Sequence, residues 1–298
     1  MPIARNGSVK LYWESTGEGP AVLLIAGQGM TLQGWWSTIP ILARSFRVIA
    51  FDNRDTGRSS RVPLPYTVAQ MADDAIAVLD AAQERRAHVY GLSLGASVAQ
   101  EMALRHPERV QALVLGASTP GVPLAVLPQP LALTFFARAG GMGPEEAEWA
   151  AVPYTYSEAS RRRRAERIAE NIARRMKSPI DTLAYLHQAA AIAAHSTCSR
   201  LNHIAAPVLV VHGEQDMIVP PSNGRLLAER IPGAQLSVWP DAGHLYPIDE
   251  PDADREIAGY LLRQSSIRSA SNGHRGRLVL RGVPTARVLP DPETSAAS

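Results

Sequence analysis

Gly91-Leu92-Ser93-Leu94-Gly95 sets one hydroxyl between two glycines, with a short apolar run (residues 88–91) before it and a helical pattern (96–106) after it. A strand that turns sharply into a helix lifts a serine oxygen above the strand ends, and glycines on either side let strand and helix approach. A hydroxyl is a poor nucleophile at neutral pH and needs a base within hydrogen-bonding reach. Of the eight histidines, His244 is the best placed, in Asp241-Ala242-Gly243-His244 directly after a strand ending at Trp239. The base needs an acid to hold its tautomer and to stabilise the imidazolium. Asp216, in Gly213-Glu214-Gln215-Asp216 just past the apolar run 207–211, fits that role, with Glu214 as the nearby competitor and His212 as a histidine close enough to matter. Taken singly, each residue has a plain reading: a helix cap, a loop histidine, a turn aspartate. Three in the order Ser, Asp, His, each following a strand, are far more specific.

Attack on a carbonyl also needs donors for the negative charge that develops on its oxygen. Ala26-Gly27-Gln28-Gly29-Met30 follows the apolar run 21–25, and its glycines allow backbone amides to come close to a ligand. The N–H groups of Gln28 and Leu94 are the expected donors, with Gly29 as the alternative to Gln28. No metal or organic cofactor is called for.

These residues must be held by a scaffold, and the chain supplies one. Apolar runs of strand length at 21–25, 47–51, 88–91, 110–115, 207–211 and 235–239 alternate with helical stretches at 36–43, 67–79, 96–106, 222–230 and 252–262. Asn6-Gly7 marks a hairpin turn into the alternating strand 9–14. Near-continuous apolar strands separated by helices argue for a parallel sheet covered on both faces. Between 121 and 196 no strand pattern occurs; the segment is rich in Ala and Arg and broken by Pro and Gly. The expected organisation is a core over 1–120, a helical cap over 121–196, the rest of the core over 197–263, and an irregular extension over 264–298.

Composition narrows the partners. Charged residues make up 19% of the 298, apolar ones 46%, and the formal net charge is +2. The extension carries five of the arginines, so the body is close to neutral and offers no electrostatic case for nucleic acid. The single cysteine, Cys198, cannot form an internal disulfide. Together with a polar first fourteen residues and no run of about 18 apolar residues, this leads us to expect a cytoplasmic protein that does not engage a membrane. The oligomeric state is left open.

With these motifs in place, residues 1 to about 263 resemble the α/β-hydrolase superfamily. The resemblance rests on the strand before Gly27-Gln28-Gly29, on Phe51-Asp52-Asn53-Arg54-Asp55-Thr56-Gly57-Arg58-Ser59, on the turn at Ser93, and on the segments 213–216 and 243–244. The stretch 51–59 with Gly91–Ala96 is similar to methylesterases of the aclacinomycin type and to 3-oxoadipate enol-lactonases. The resemblance implies a mostly parallel eight-stranded sheet flanked by helices, an inserted cap over the triad, and hydrolysis of a carboxylic ester or lactone through an acyl-enzyme. Ala26 stands where many relatives carry a histidine, and Ser rather than Asp at 93 argues against dehalogenases and epoxide hydrolases. Two rivals use the same scaffold: a cofactor-free haloperoxidase or perhydrolase, and a non-catalytic ligand receptor. Trp35, Trp36, Phe135, Phe136, Trp149 and Tyr154 are the candidates for an apolar substrate pocket, although aromatics in helices are more often core. The arginine run 161–164, with Arg167, Arg174 and Arg175, reads first as a solvated helix face and second as a lure for anions.

Overall fold

The computed structural model describes residues 2–63, 65–139 and 141–273. Its strands are β1 (Ile3–Asn6), β2 (Val9–Thr16), β3 (Ala21–Ile25), β4 (Arg47–Phe51), β5 (Ala87–Leu92), β6 (Val110–Gly116), β7 (Val208–Gly213) and β8 (Gln235–Trp239). Its helices are α1 (Ile39–Leu42), α2 (Val68–Ala81), α3 (Leu94–Arg105), α4 (Pro130–Ala139), α5 (Pro144–Thr155), α6 (Glu158–Arg163), α7 (Ala165–Arg175), α8 (Thr182–Ala193), α9 (Pro221–Arg230), α10 (Tyr246–Asp249) and α11 (Asp252–Gly273). The strands form one sheet in the order β1-β2-β4-β3-β5-β6-β7-β8. β1 and β2 run antiparallel to their neighbours, and β4 to β8 are mutually parallel.

Period-two alternation divides each central strand between two cores. Leu23, Ile25, Ile49, Val89, Leu113 and Val210 pack under α2, α3 and α9. Val22, Leu24, Val48, Tyr90, Val114 and Leu209 face the other way, with Leu42 of α1 and Ala253, Ile257 and Leu261 of α11. Burial on both faces is why β3 and β7 read as unbroken apolar runs in the sequence.

Three details depart from the sequence reading. β1, given no bounds there, pairs with β2 across the expected Asn6-Gly7 hairpin turn, where Gly7 takes φ 57°. The helix expected over 36–43 is a 3-10 turn at Leu32–Trp35 followed by the single-turn α1. Pro40 lacks an N–H and is tolerated only in a first turn, so the helix begins late. At the other end, α11 continues past Arg263 to Gly273. No proline or glycine interrupts residues 264–272, and Ser265 Oγ lies 2.8 Å from His88 Nε2, which docks this turn on β5. Residues 274–298, the rest of the expected extension, lie outside the described residues.

The insertion between β6 and β7 holds α4 to α8, and its two ends meet at an antiparallel bridge between Gly121 and Ser196. Among the described residues no helix is long and apolar enough to cross a membrane.

The β5–α3 turn is packed backbone on backbone. A Cβ on Gly95 would collide with the Ile25 carbonyl oxygen of β3, and one on Gly91 with the Gly95 carbonyl. Neither obstacle is a flexible side chain that can rotate away. Gly95→Ala is therefore expected to destabilise the fold by about 1–3 kcal/mol, the usual cost of overpacking, measured by urea denaturation. A variant as stable as wild type would contradict this packing.

Candidate active site

Ser93 lies between β5 and α3 with φ 55° and ψ −118°. A left-handed φ is strained for a residue with a Cβ, and it is held here by its surroundings. The Ser93 amide donates to the Gly116 carbonyl on β6 at 2.8 Å. Leu94 begins α3, where a first-turn N–H has no carbonyl within the helix to bond. Gly27 approaches from β3, close enough that a Cβ there would sit 3.4 Å from the Ser93 Cβ.

β6, β7 and β8 lie in sequence beside β5, so the loops after β7 and β8 leave from the same edge of the sheet as Ser93. The two loops are joined through the Glu214 amide on the Trp239 carbonyl and the Gln215 amide on the Ala242 carbonyl, both 2.9 Å. This brings Asp216 and His244 together: His244 Nδ1 is 2.8 Å from Asp216 Oδ2. An ionised carboxylate only accepts, so Nδ1 carries the proton and Nε2 is left as the basic nitrogen.

Asp216 is 1% exposed. Burial pushes its carboxyl up, but the charge and hydrogen bonds of His244 and His212 outweigh this and hold it at about 2. Its Oδ1 accepts from the amides of Ile218 and Val219 at 2.9 and 2.8 Å. The buried His212 lies with Nε2 3.4 Å from Asp216 Oδ2 and 2.8 Å from the Val219 carbonyl oxygen. Asp216 is thus flanked by two imidazoles.

The segment 51–59 braces the loop after β3. Asp52 accepts the Leu32 amide at 2.8 Å and the Arg58 amide at 2.9 Å, while Asn53 Nδ2 donates to the Ala26 carbonyl at 3.0 Å. Arg54 is buried against Asp74 of α2 through two hydrogen bonds. Asp52 and Asn53 are therefore structural supports for residues 26–32. The Gly29 amide, the alternative oxyanion donor, is already bonded to Gln188 Oε1 on α8 at 2.9 Å.

The His244 loop is also braced. Asp249 Oδ2 accepts from the amides of Gly243 (2.6 Å) and of Ser157 in the insertion (3.1 Å). Burial raises this carboxyl to about 6 against the pull of those amides. Tyr246 shares its hydroxyl with that of Tyr90 at 2.7 Å, and Tyr90 with Thr38 binds Asp254. Burial raises Asp254 to about 7. An unfolded aspartate ionises near 3.9, so the folded state retains the proton over the interval between. The resulting stabilisation is complete below about 4 and is lost as pH rises through about 7. Asp254→Asn is neutral throughout, and its expected Tm lies above wild type at pH 8, with the gap narrowing at pH 5. A gap that is constant or widens toward pH 5 would contradict the assignment.

The candidate pocket aromatics fall into separate places. Trp35 is in the core with its ring edge-on to Tyr90, centroids 4.8 Å apart. Trp36 is held by Asn171 and stacked under Arg167 and Arg174. Phe135 stacks on Tyr154 at 5.0 Å and touches Phe136 at 5.3 Å, joining α4 to α5, and Trp149 is 47% exposed. A void of about 10 Å³ lies between Trp35, Leu92 and Leu245. Its walls include the neighbours of both Ser93 and His244, but it is no larger than one water. The arginine run divides too. Arg161, Arg162 and Arg163 are exposed, whereas Arg167 donates to the Ile248 and Pro247 carbonyls and Arg164 pairs with Glu250, fastening the start of α7 to residues 247–250.

The model of the alpha/beta hydrolase fold matches residues 20–251. The chain belongs to the α/β-hydrolase family. Similar α/β-hydrolases include a RutD protein of Azorhizobium caulinodans, named for carbamate hydrolysis, which is 31% identical over 86% of this chain and 96% of its own. The rhodomycin D methylesterase DnrP of Streptomyces peucetius is 32% identical over 82% of this chain and 91% of its own. Among solved α/β-hydrolase structures, the enol-lactonase of Burkholderia xenovorans LB400 superposes with a TM-score of 0.77, at 25% identity, covering 89% of this chain and all of that one.

Sequence reasoning reached the residues that follow strands but missed Gln188, Asp249 and the brace at 52–53. Gln188 is one amide among many in a helix, and nothing local distinguishes it. The acidic richness of 52–55 is visible in the sequence, but its target, a loop twenty or more residues earlier, is not.

Proposed function

We propose that this α/β-hydrolase is a serine hydrolase that cleaves a carboxylic ester or lactone through an acyl-enzyme on Ser93. The observation that carries the reading is a strained serine at the end of β5 sharing one sheet edge with a histidine locked to a buried carboxylate. Strain of this kind exposes a side chain, and a carboxylate-bound Nδ1 leaves Nε2 free for a proton.

In the proposed reaction His244 Nε2 takes the Ser93 proton as Oγ adds to the carbonyl carbon. The oxyanion rests on the amides of Gln28 and Leu94. His244 then protonates the leaving oxygen, the C–O bond breaks, and the acyl group remains on Ser93. Water, deprotonated by His244, repeats the addition; collapse releases the acid and returns the proton to Ser93. Asp216 stays ionised throughout, since a carboxyl at about 2 is not protonated at any pH where imidazole acts as a base. The names of the relatives support this chemistry: a methyl ester, an enol-lactone and a carbamate each present a carbonyl bearing a heteroatom leaving group.

The test is a panel of p-nitrophenyl esters of graded acyl length, methyl esters, lactones and carbamates. Wild type is expected to turn over at least one oxygen ester or lactone faster than any carbamate. Faster carbamate turnover would reassign the substrate class, and a folded protein inert to the whole panel would count against the hydrolytic reading.

A further inference from the structure

We propose that Gln188, on cap helix α8, is a positioning residue for the oxyanion hole, selecting which amide of the loop after β3 faces the reacting carbonyl. The inference rests on the serine-hydrolase reading of Ser93 and extends it to the cap.

Two consecutive amides, Gln28 and Gly29, stand next to Gly27, which lies against Ser93. Either could turn toward an oxyanion. Gly29 has φ 69°, a left-handed conformation that a glycine adopts readily and leaves readily. Gln188 removes the choice: its Oε1 takes the Gly29 N–H at 2.9 Å, and the Gln28 N–H is the one left for the substrate. The Gln28 side chain adds a second tie, donating to the Tyr185 carbonyl of α8 at 3.1 Å.

Gln188 is fully buried, with the Tyr66 hydroxyl as a further polar neighbour of its side chain. Sealing an amide side chain from water costs desolvation that a Met or Leu at the same place would avoid. What the amide adds is an acceptor aimed at the Gly29 N–H. The neighbouring His187 is engaged elsewhere, its Nδ1 3.2 Å from Asp55 Oδ2, and Tyr185 offers Gly29 only ring carbons. Because α8 belongs to the insertion, the oxyanion loop takes its shape from cap and core together.

The test compares Gln188→Met, which keeps the size and loses the acceptor, with Gln188→Glu, which offers an oxygen to Gly29 in either protonation state. Circular dichroism first verifies that both are folded. Gln188→Met is expected to lower kcat about 10- to 100-fold, below the usual loss of an entire oxyanion donor, with KM moving less than about threefold. Affinity for a boronic acid inhibitor, a tetrahedral mimic, should fall in parallel, and Gln188→Glu should recover most of both. Independently of turnover, amide hydrogen exchange over residues 26–32 should quicken in Gln188→Met and not in Gln188→Glu. A folded Gln188→Met with wild-type kcat and exchange would overturn the proposal, as would a Gln188→Glu as impaired as the Met variant. If wild type hydrolyses nothing, the exchange comparison still decides the clamp, and the failure falls on the reading of Ser93.

Discussion

Ser93→Ala is expected to lower kcat by on the order of 10⁴ to 10⁶, the range seen when other triads lose their nucleophile. The loss should be chemical rather than structural. The substituted residue would inherit the same backbone at φ 55°, with the amide still on Gly116 and a Cβ of the same size beside Gly27. Only Oγ disappears. KM should change little, because Oγ acts on the reacting carbonyl in the chemical step and the surfaces that hold the ground-state substrate remain. The measurement is steady-state hydrolysis of the best ester in the panel, with urea denaturation to show that stability is kept within about 0.5 kcal/mol, the normal span for a change away from structural features. A residual rate above about a tenth of wild type would remove Ser93 from the chemistry.

Asp216→Asn should cost nearly as much, about 10⁴ in kcat, through a different cause. The Asn Oδ1 can accept the Ile218 and Val219 amides as the carboxylate does, so the turn is preserved. Its Nδ2 then faces His244 Nδ1, donor against donor. The imidazole relieves this by moving its proton to Nε2, the nitrogen that must accept from Ser93. The base is present but in the wrong tautomer. The second imidazole, His212, cannot substitute, since its Nε2 is bound to the Val219 carbonyl. A kcat within tenfold of wild type in the folded variant would show that His244 does not depend on Asp216. Because two histidines hold the wild-type carboxyl at about 2, its stabilising contribution is present above the ordinary aspartate value and is lost only as pH falls toward 2.

The parts of this molecule that could be read from sequence are those whose cause is local. β3, β4, β6 and β7 follow from apolar runs buried on both faces, β8 from a short run at the exposed edge of the sheet, and the turn at Ser93 from glycines that no other residue could replace without collision. His244 and Asp216 were reachable because each lies a few residues beyond such a run. What was not legible depends on partners distant in the chain. Gln188 reaches back 159 residues to Gly29, and Asp249 joins the His244 loop to Ser157, 92 residues away. Neither leaves a periodicity or a motif. The aromatic residues show the same limit: their types suggested a pocket, but Trp35 and Phe135 are spent on packing. α11 illustrates a different failure, in which Ser265 and Ser266 read as the start of a loop. In the helix their hydroxyls bond back to the carbonyls of Leu261 and Leu262, a local use that permits either conformation.

The most direct test of the central claim is intact-protein mass spectrometry after treatment with a fluorophosphonate, followed by peptide mapping. The account predicts one adduct per folded chain, on Ser93, formed slowly or not at all in Asp216→Asn and absent after unfolding. An adduct confined to another residue, or none on a folded protein that hydrolyses esters, would contradict it.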